Sequence, residues 1–343
     1  MEKQFEKNHY FPKYNLKYWK EINSKLYDKK IKQDREFNPA NNFQLHKFYY
    51  FDGTPQIEKR LSKIENYMSQ ILKKISDSIT TNSIELSEYE ISFIQLFLFL
   101  QASRQLNTTE VIKSDESGIY QSNNFLFGVY NLKDKEQMKY SMSSLISALE
   151  SLIKEKTSKE LEFWLHMQAH STHLVIAKNN SNYICQSDVC CIIENDIDSN
   201  HMYTYFPQTP NIAFFLVKSK YFYREWHRIK YLNRHNDIVI SPILGNLETR
   251  LICQYQKEGF FEDSASYFFP SESINFSQLK KNNIKLNFFE LPNGIVDEYN
   301  KILFDDGEIF IHNQKTDYIS YLETKNDSYR KIIFIEPNPD FLF

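Results

Sequence analysis

Hydrophobic and polar positions divide the chain into two unlike parts. In "IEKRLSKIENYMSQILKKI" the residues Ile57, Leu61, Ile64, Met68, Ile71 and Ile75 recur every three or four positions, and this spacing predicts an amphipathic helix. "ISFIQLFLFLQASRQL" is apolar nearly all round, which predicts a central, buried helix. The run Ser87-Glu88-Tyr89-Glu90 before it has the form of a capping box. A third long helix is predicted over 137–168, after a polar stretch at 107–136. Beyond it the period changes. "THLVIAKN", "NYICQSDVCCII" and "IAFFLVKS" are short apolar runs bounded by Asn, Asp, Ser and Pro, and they read as strands. Helical stretches follow near 219–230 and 243–257, then short strands near 265–269, 283–290, 308–312 and 331–336. "FQLHKFYYF" at 43–51 has strand composition ahead of Asp52-Gly53. The expected fold is α+β, with a helical N-terminal half packed on a β-rich C-terminal half. No linker or internal repeat breaks the chain. One large domain over 1–343 is expected, mainly helical over 1–170 and mixed strand and helix over 171–343.

Composition narrows the function classes. Seven glycines occur in 343 residues, with no GxGxxG and no Walker A pattern, so doubly wound nucleotide folds are disfavoured. Apolar residues make up 41% and charged residues 25%, a globular balance. The four cysteines show no CxxC spacing, which fits a reducing compartment. "MEKQFEKNHY" has no apolar core of a signal peptide, and the longest apolar run is about half a membrane span. A cytoplasmic location with no membrane partner is expected. Net charge is −3, but residues 1–74 hold 16 Lys and Arg against 9 Asp and Glu. Most of these lysines are expected on solvated surface. The excess also suits attraction to phosphate, which makes nucleic acid or a nucleotide the candidate partner.

Four stretches carry polar groups where the pattern expects apolar ones. "NHYFPKYNLKYW" sets His9 among aromatic rings ahead of Pro12. His9 is either a cap for neighbouring backbone or a general acid or base. Glu58 and Glu65 lie two helical turns apart, beside the apolar seam. Gln101 and Arg104 share a face of the most hydrophobic helix. A guanidinium buried there must meet a carboxylate, carbonyls or an anion. Asp188 follows Ser187 at the end of an apolar run, in a position that suits a catalytic group and a turn former alike.

Taken in order, these stretches resemble the family catalogued as domain of unknown function 4238. "NHYFPKYNLKYW" is similar to its "HYVP…L..F" opening, "IEKRLSKIE" to its paired-glutamate segment and "LFLFLQASRQL" to its "Q..RtP" helix. "YICQSDVCCI" is similar to its "fitSDnPv" turn, "YTYFPQTPNIAF" to its "fPLsP" stretch and "SASYFFPS" to its late "A.r.vfs" signature. The likeness spans residues 8 to 271. Gln105-Leu106 replaces the family's Thr-Pro, and Val189-Cys190 replaces its Asn-Pro. The resemblance implies that the His-aromatic-Pro opening belongs to a shared fold or a shared site. It implies no activity.

Two functions compete on these residues. In the first, a hydrolase acts on a phosphodiester or nucleotide: His9 transfers a proton, Arg104 holds a phosphate, Gln101 orients it, and Glu65 and Asp188 orient His9 or bind a metal. In the second, a non-catalytic binding or interaction protein, such as a stress or phage-defence sensor, uses them as a polar network docking its halves. This second reading predicts no open cavity at Arg104 and a carboxylate partner for it. A third, weaker reading is a metal-dependent hydrolase at His166, His170 and His173, which share a face with Glu162 only if the helix runs on to 173.

Overall fold

The structure is a computed structural model. It describes residues 7–9, 11–46, 56–104, 135–167, 172–196, 201–218, 238–240, 274–314, 317–325 and 332–334. The helices predicted near 219–230 and 243–257 and the strand near 265–269 lie outside these residues.

The fold is α+β, and most of the described helices lie in the N-terminal half. The chain opens with β1 (Lys7–His9), α1 (Lys13–Glu21), β2 (Lys25–Asp28), β3 (Gln33–Glu36) and β4 (Gln44–His46). Next come α2 (Gln56–Asp77), β5 (Ser83–Ser87), α3 (Glu88–Ser103), α4 (Lys135–Ile153) and α5 (Lys159–Met167). β6 (Thr172–Lys178), β7 (Gln186–Ser187), β8 (Ile192–Asp196), β9 (His201–Thr209), β10 (Ile212–Lys218) and β11 (Ile238–Ile240) follow. The last described elements are α6 (Phe276–Lys281), β12 (Asn283–Asn287), β13 (Phe289–Glu290), α7 (Asn293–Asp306), β14 (Ile309–His312), α8 (Tyr318–Thr324) and β15 (Ile332–Phe334).

A five-stranded sheet, ordered β13-β6-β10-β9-β8, forms the middle layer. Its side chains alternate between two faces, as a pleated strand requires. Leu174, Ile176, Phe206, Phe214 and Leu216 face one buried cluster with α2 to α5. Val175, Ala177, Tyr205, Ala213 and Phe215 face a second cluster with α7 and α8. A four-stranded sheet, ordered β3-β2-β14-β7, packs Tyr27 and Phe310 on the second cluster. Its Leu26 and Ile311 belong to a third cluster, with Phe11, Leu16 and Trp19.

Local chemistry explains the N-terminal helices. α2 buries Leu61, Ile64, Met68, Ile71 and Ile75, the seam its spacing predicts. The capping box at α3 closes as the sequence suggests. Ser87 Oγ accepts from Glu90 N at 3.2 Å, and Ser87 N donates to Glu90 Oε2 at 2.8 Å. Every α3 residue except Glu90 is buried.

Two expected elements divide. The helix predicted over 137–168 is two helices, because Glu155 takes a left-handed φ of 52° and Ser158 Oγ accepts from Leu161 N at 3.2 Å to start the second. The strand predicted over 283–290 changes sheets at Phe288. β12 pairs with β5, whereas β13 pairs with β6. Three helices, α6, α7 and α8, stand in the C-terminal part among the strands.

Candidate functional site

α1, α2 and the end of α3 meet at one corner. Pro12 holds an extended φ and ψ directly before α1, which then starts at Lys13. α1 points its sides at different neighbours. Leu16 and Trp19 enter the third cluster, while Tyr14 and Tyr18 pack against the first. The Tyr14 ring lies 6.3 Å from that of Phe97 on α3. Gln101 lies one turn beyond Phe97, and Arg104 one turn beyond Gln101, so all three share a face of α3.

Arg104 caps α3 and is 1% exposed. Its Nη1 donates to Glu65 Oε1 of α2 at 2.7 Å, with the Glu65 side chain 18% exposed. The carboxylate that a buried guanidinium requires therefore comes from the second glutamate of the α2 pair. Burial, and after it the Glu65 carboxylate, push the Tyr14 phenol well above its usual range, with Arg104 opposing. Tyr14 thus keeps its proton, and its hydroxyl sits within the field of both charges.

Gln101 is fully buried, yet neither Nε2 nor Oε1 has a hydrogen-bond partner among the described residues. The same holds for the Tyr14 hydroxyl and for Oδ1 of Asn15, the next residue of α1. Asn15 Nδ2, by contrast, donates to Gln208 Oε1 at 2.9 Å and to Gln208 O at 3.2 Å. Each buried polar atom left unpaired costs about 1–3 kcal/mol. Four such atoms lie on Tyr14, Asn15 and Gln101, and two of them belong to the one amide of Gln101.

Asp188 serves a different place. Its Oδ1 accepts from the backbone N–H of Glu308 at 2.9 Å and of Ile309 at 3.2 Å, clasping the start of β14. Burial raises its carboxyl, against the lowering effect of those backbone bonds. Gly307 is needed beside it, since a Cβ there would lie 2.6 Å from Asp188 Oδ1. The turn does reach the corner through Cys190, whose Sγ donates to Gln101 O at 3.3 Å. The side chain of His9 lies outside the described residues. Its backbone pairs with Gln44 across β1 and β4.

The structure thus brings Glu65, Gln101 and Arg104 together, ties the Asp188 carboxylate to β14, and adds Tyr14, while the neighbouring Asn15 turns to Gln208 on the third-cluster side of α1. Asn15 had a readable signal. It stands one turn before Trp19 and beside Leu16 on α1, a polar residue on a buried stripe.

The histidine constellation does not form as a helix face. α5 ends among the described residues at Met167, and His173 stands on β6. His170 lies outside the described residues. No group of three His, Cys, Asp or Glu among the described residues is placed to hold a metal ion.

Residues 7–317 match the family described as protein of unknown function (DUF4238). The chain belongs to that family. No curated protein and no solved structure matches it. The DUF4238 match takes in every residue of the corner, from Tyr14 to Arg104. No helix among the described residues is long and apolar enough to cross a membrane. Cys185, Cys190 and Cys191 are free thiols and buried.

Proposed function

We propose that this DUF4238 protein binds a small molecule of the nucleotide class in the corner between α1, α2 and the end of α3. Gln101 is the recognising side chain, and the Glu65–Arg104 pair is a fixed wall beside it. One observation carries the reading: the Gln101 amide is buried with both polar atoms unpartnered among the described residues, one turn from the Arg104 guanidinium of the Glu65–Arg104 ion pair. A ligand edge that supplies the missing donors and acceptors removes that cost. The basic bias of residues 1–74 favours a phosphate-bearing ligand, and a cytoplasmic location suits one.

Hydrolysis of a phosphodiester is the narrower form of this proposal. It needs a proton-transfer group near the ligand, the role assigned to His9. Asp188 is a poor candidate for that chemistry, because its Oδ1 is already engaged by two backbone N–H groups. A second reading, a structural polar network docking the helices, is favoured by the 2.7 Å contact that already pairs Arg104.

The test is direct. The protein is purified without denaturation, then unfolded, and the released small molecules are identified by mass spectrometry. A nucleotide or nucleoside retained by wild type and lost from Gln101→Leu is expected. Preparations that release nothing, combined with a melting temperature unmoved by any nucleotide, would leave the structural network as the better account.

A further inference from the structure

We infer that the corner reads the uncharged edge of a nucleobase, with the phosphate left outside it. This rests on the proposal that the site takes a nucleotide-class ligand, and it names the part recognised.

Charge comes first. Arg104 and Glu65 touch at 2.7 Å and offset each other, so a phosphate drawn to the guanidinium also meets a carboxylate. The third side chain at the pair, Tyr14, remains a neutral hydroxyl. Such surroundings give an anion little net attraction and suit a polar, uncharged group.

The unpartnered atoms then describe the complement. Gln101 presents a carbonyl acceptor and an NH2 donor in one plane. The Tyr14 hydroxyl donates or accepts. The ligand therefore needs at least one N–H and one acceptor side by side on a rigid edge. A glutamine amide meets that pattern bidentately on a nucleobase, as with N6 and N7 of adenine. Sugar and phosphate offer no such planar pair. The Phe97 ring, one turn before Gln101, lies 6.3 Å from that of Tyr14, an apolar neighbourhood in keeping with an aromatic ligand.

The experiment is calorimetric titration of the full chain with adenosine, adenosine 5′-monophosphate, the other nucleosides, ribose 5-phosphate and inorganic phosphate. At least one nucleoside is expected to bind with a Kd within about threefold of its monophosphate, with no detectable binding of ribose 5-phosphate or phosphate. Gln101→Leu is expected to weaken that nucleoside at least about 30-fold without a fall in melting temperature. Tyr14→Phe, which keeps the ring, is expected to weaken it about 5- to 20-fold. Ribose 5-phosphate binding as tightly as the nucleotide overturns the base-reading inference and leaves the nucleotide proposal standing. Binding of none of these compounds overturns both. A bound nucleoside whose base makes no hydrogen bond to Gln101 in a crystal structure also overturns the inference.

Discussion

Two buried amides in this molecule have opposite circumstances. Asn300 of α7 is fully engaged: its Oδ1 accepts from Cys185 N at 3.0 Å, and its Nδ2 donates to Tyr183 O and to the Tyr318 hydroxyl, each at 2.9 Å. Asn179 nearby makes four such bonds, two through each amide atom. Gln101 makes none through its side chain among the described residues. All three residues are buried. A buried amide whose partners are all protein groups fixes the geometry of the chain around it, as Asn300 fixes the segment before β7 against α7. A buried amide without partners stabilises nothing in its own fold. The contrast separates a polar group kept for architecture from one kept for a molecule that is not part of the chain.

Mutation can break that contrast, and the largest effect is expected where a charge is involved. Arg104→Ala should destabilise the protein by about 3–5 kcal/mol, because it leaves the half-buried Glu65 without its cation. A urea midpoint equal to wild type would remove the ion pair from any account of the corner. Asn300→Ala comes next, with a loss of about 2–3 kcal/mol from three buried hydrogen bonds. Gln101→Leu, an amide deletion in an equally buried place, should stay within about 1 kcal/mol of wild type, on the stabilising side. Equal losses at Asn300 and Gln101, measured side by side by chemical denaturation, would dissolve the distinction between the two amides.

Asp188 sharpens the comparison at smaller scale. Asp188→Ala should cost about 1 kcal/mol by freeing two backbone donors, while Asp188→Asn, which keeps the Oδ1 acceptor, should fall within about 0.5 kcal/mol of wild type. A loss for Asn as large as that for Ala would show that the charge, and not the acceptor, matters there. The smallest effect is a pH slope. His312 is buried with Nε2 3.1 Å from Asp34 Oδ1, and burial lowers its pKa below the ordinary 6.5, against the raising effect of Asp34. As pH falls through 6.5 the unfolded chain gains a proton that the folded ring resists, so stability should decline on the acid side. Denaturation midpoints at neutral and mildly acidic pH should show a shallower decline in His312→Gln.

The sequence made some of this legible and hid the rest, for physical reasons. α2 and α3 announce themselves because seam spacing and the capping box are local signals. The partner of Arg104 was legible only as a class: a guanidinium on an apolar helix demands a carboxylate, carbonyls or an anion, and the sequence had set Glu65 beside His9 or a metal instead. α7 was hidden by its ends, since Pro292-Asn293-Gly294 and Asp305-Asp306-Gly307 read as turns, although Ile295, Val296, Tyr299, Leu303 and Phe304 form its buried stripe. The part played by Asp188 was hidden because Glu308 and Ile309, more than a hundred residues away, decide where its carboxylate turns. Tyr14 and Asn15 sat inside a stretch singled out for His9, and only the packing of α1 shows which side chains turn inward.

The placement of β14 carries a consequence for how the chain is made. β14 lies between β2 and β7, with Ile311 opposite Leu26 on one side and Gln186 on the other. β5, which leads into α3, likewise pairs with β12, nearly two hundred residues later. Segments that leave the ribosome early therefore wait for segments that leave it late. At about 5–20 residues per second one edge of β2, already paired with β3 on the other, and the β12-facing edge of β5 stay open for many seconds, a high-contact-order topology that folds slowly and keeps edges exposed to aggregation. Premature release anywhere before β14 yields a chain in which β2 and β7 have lost the strand that joins them.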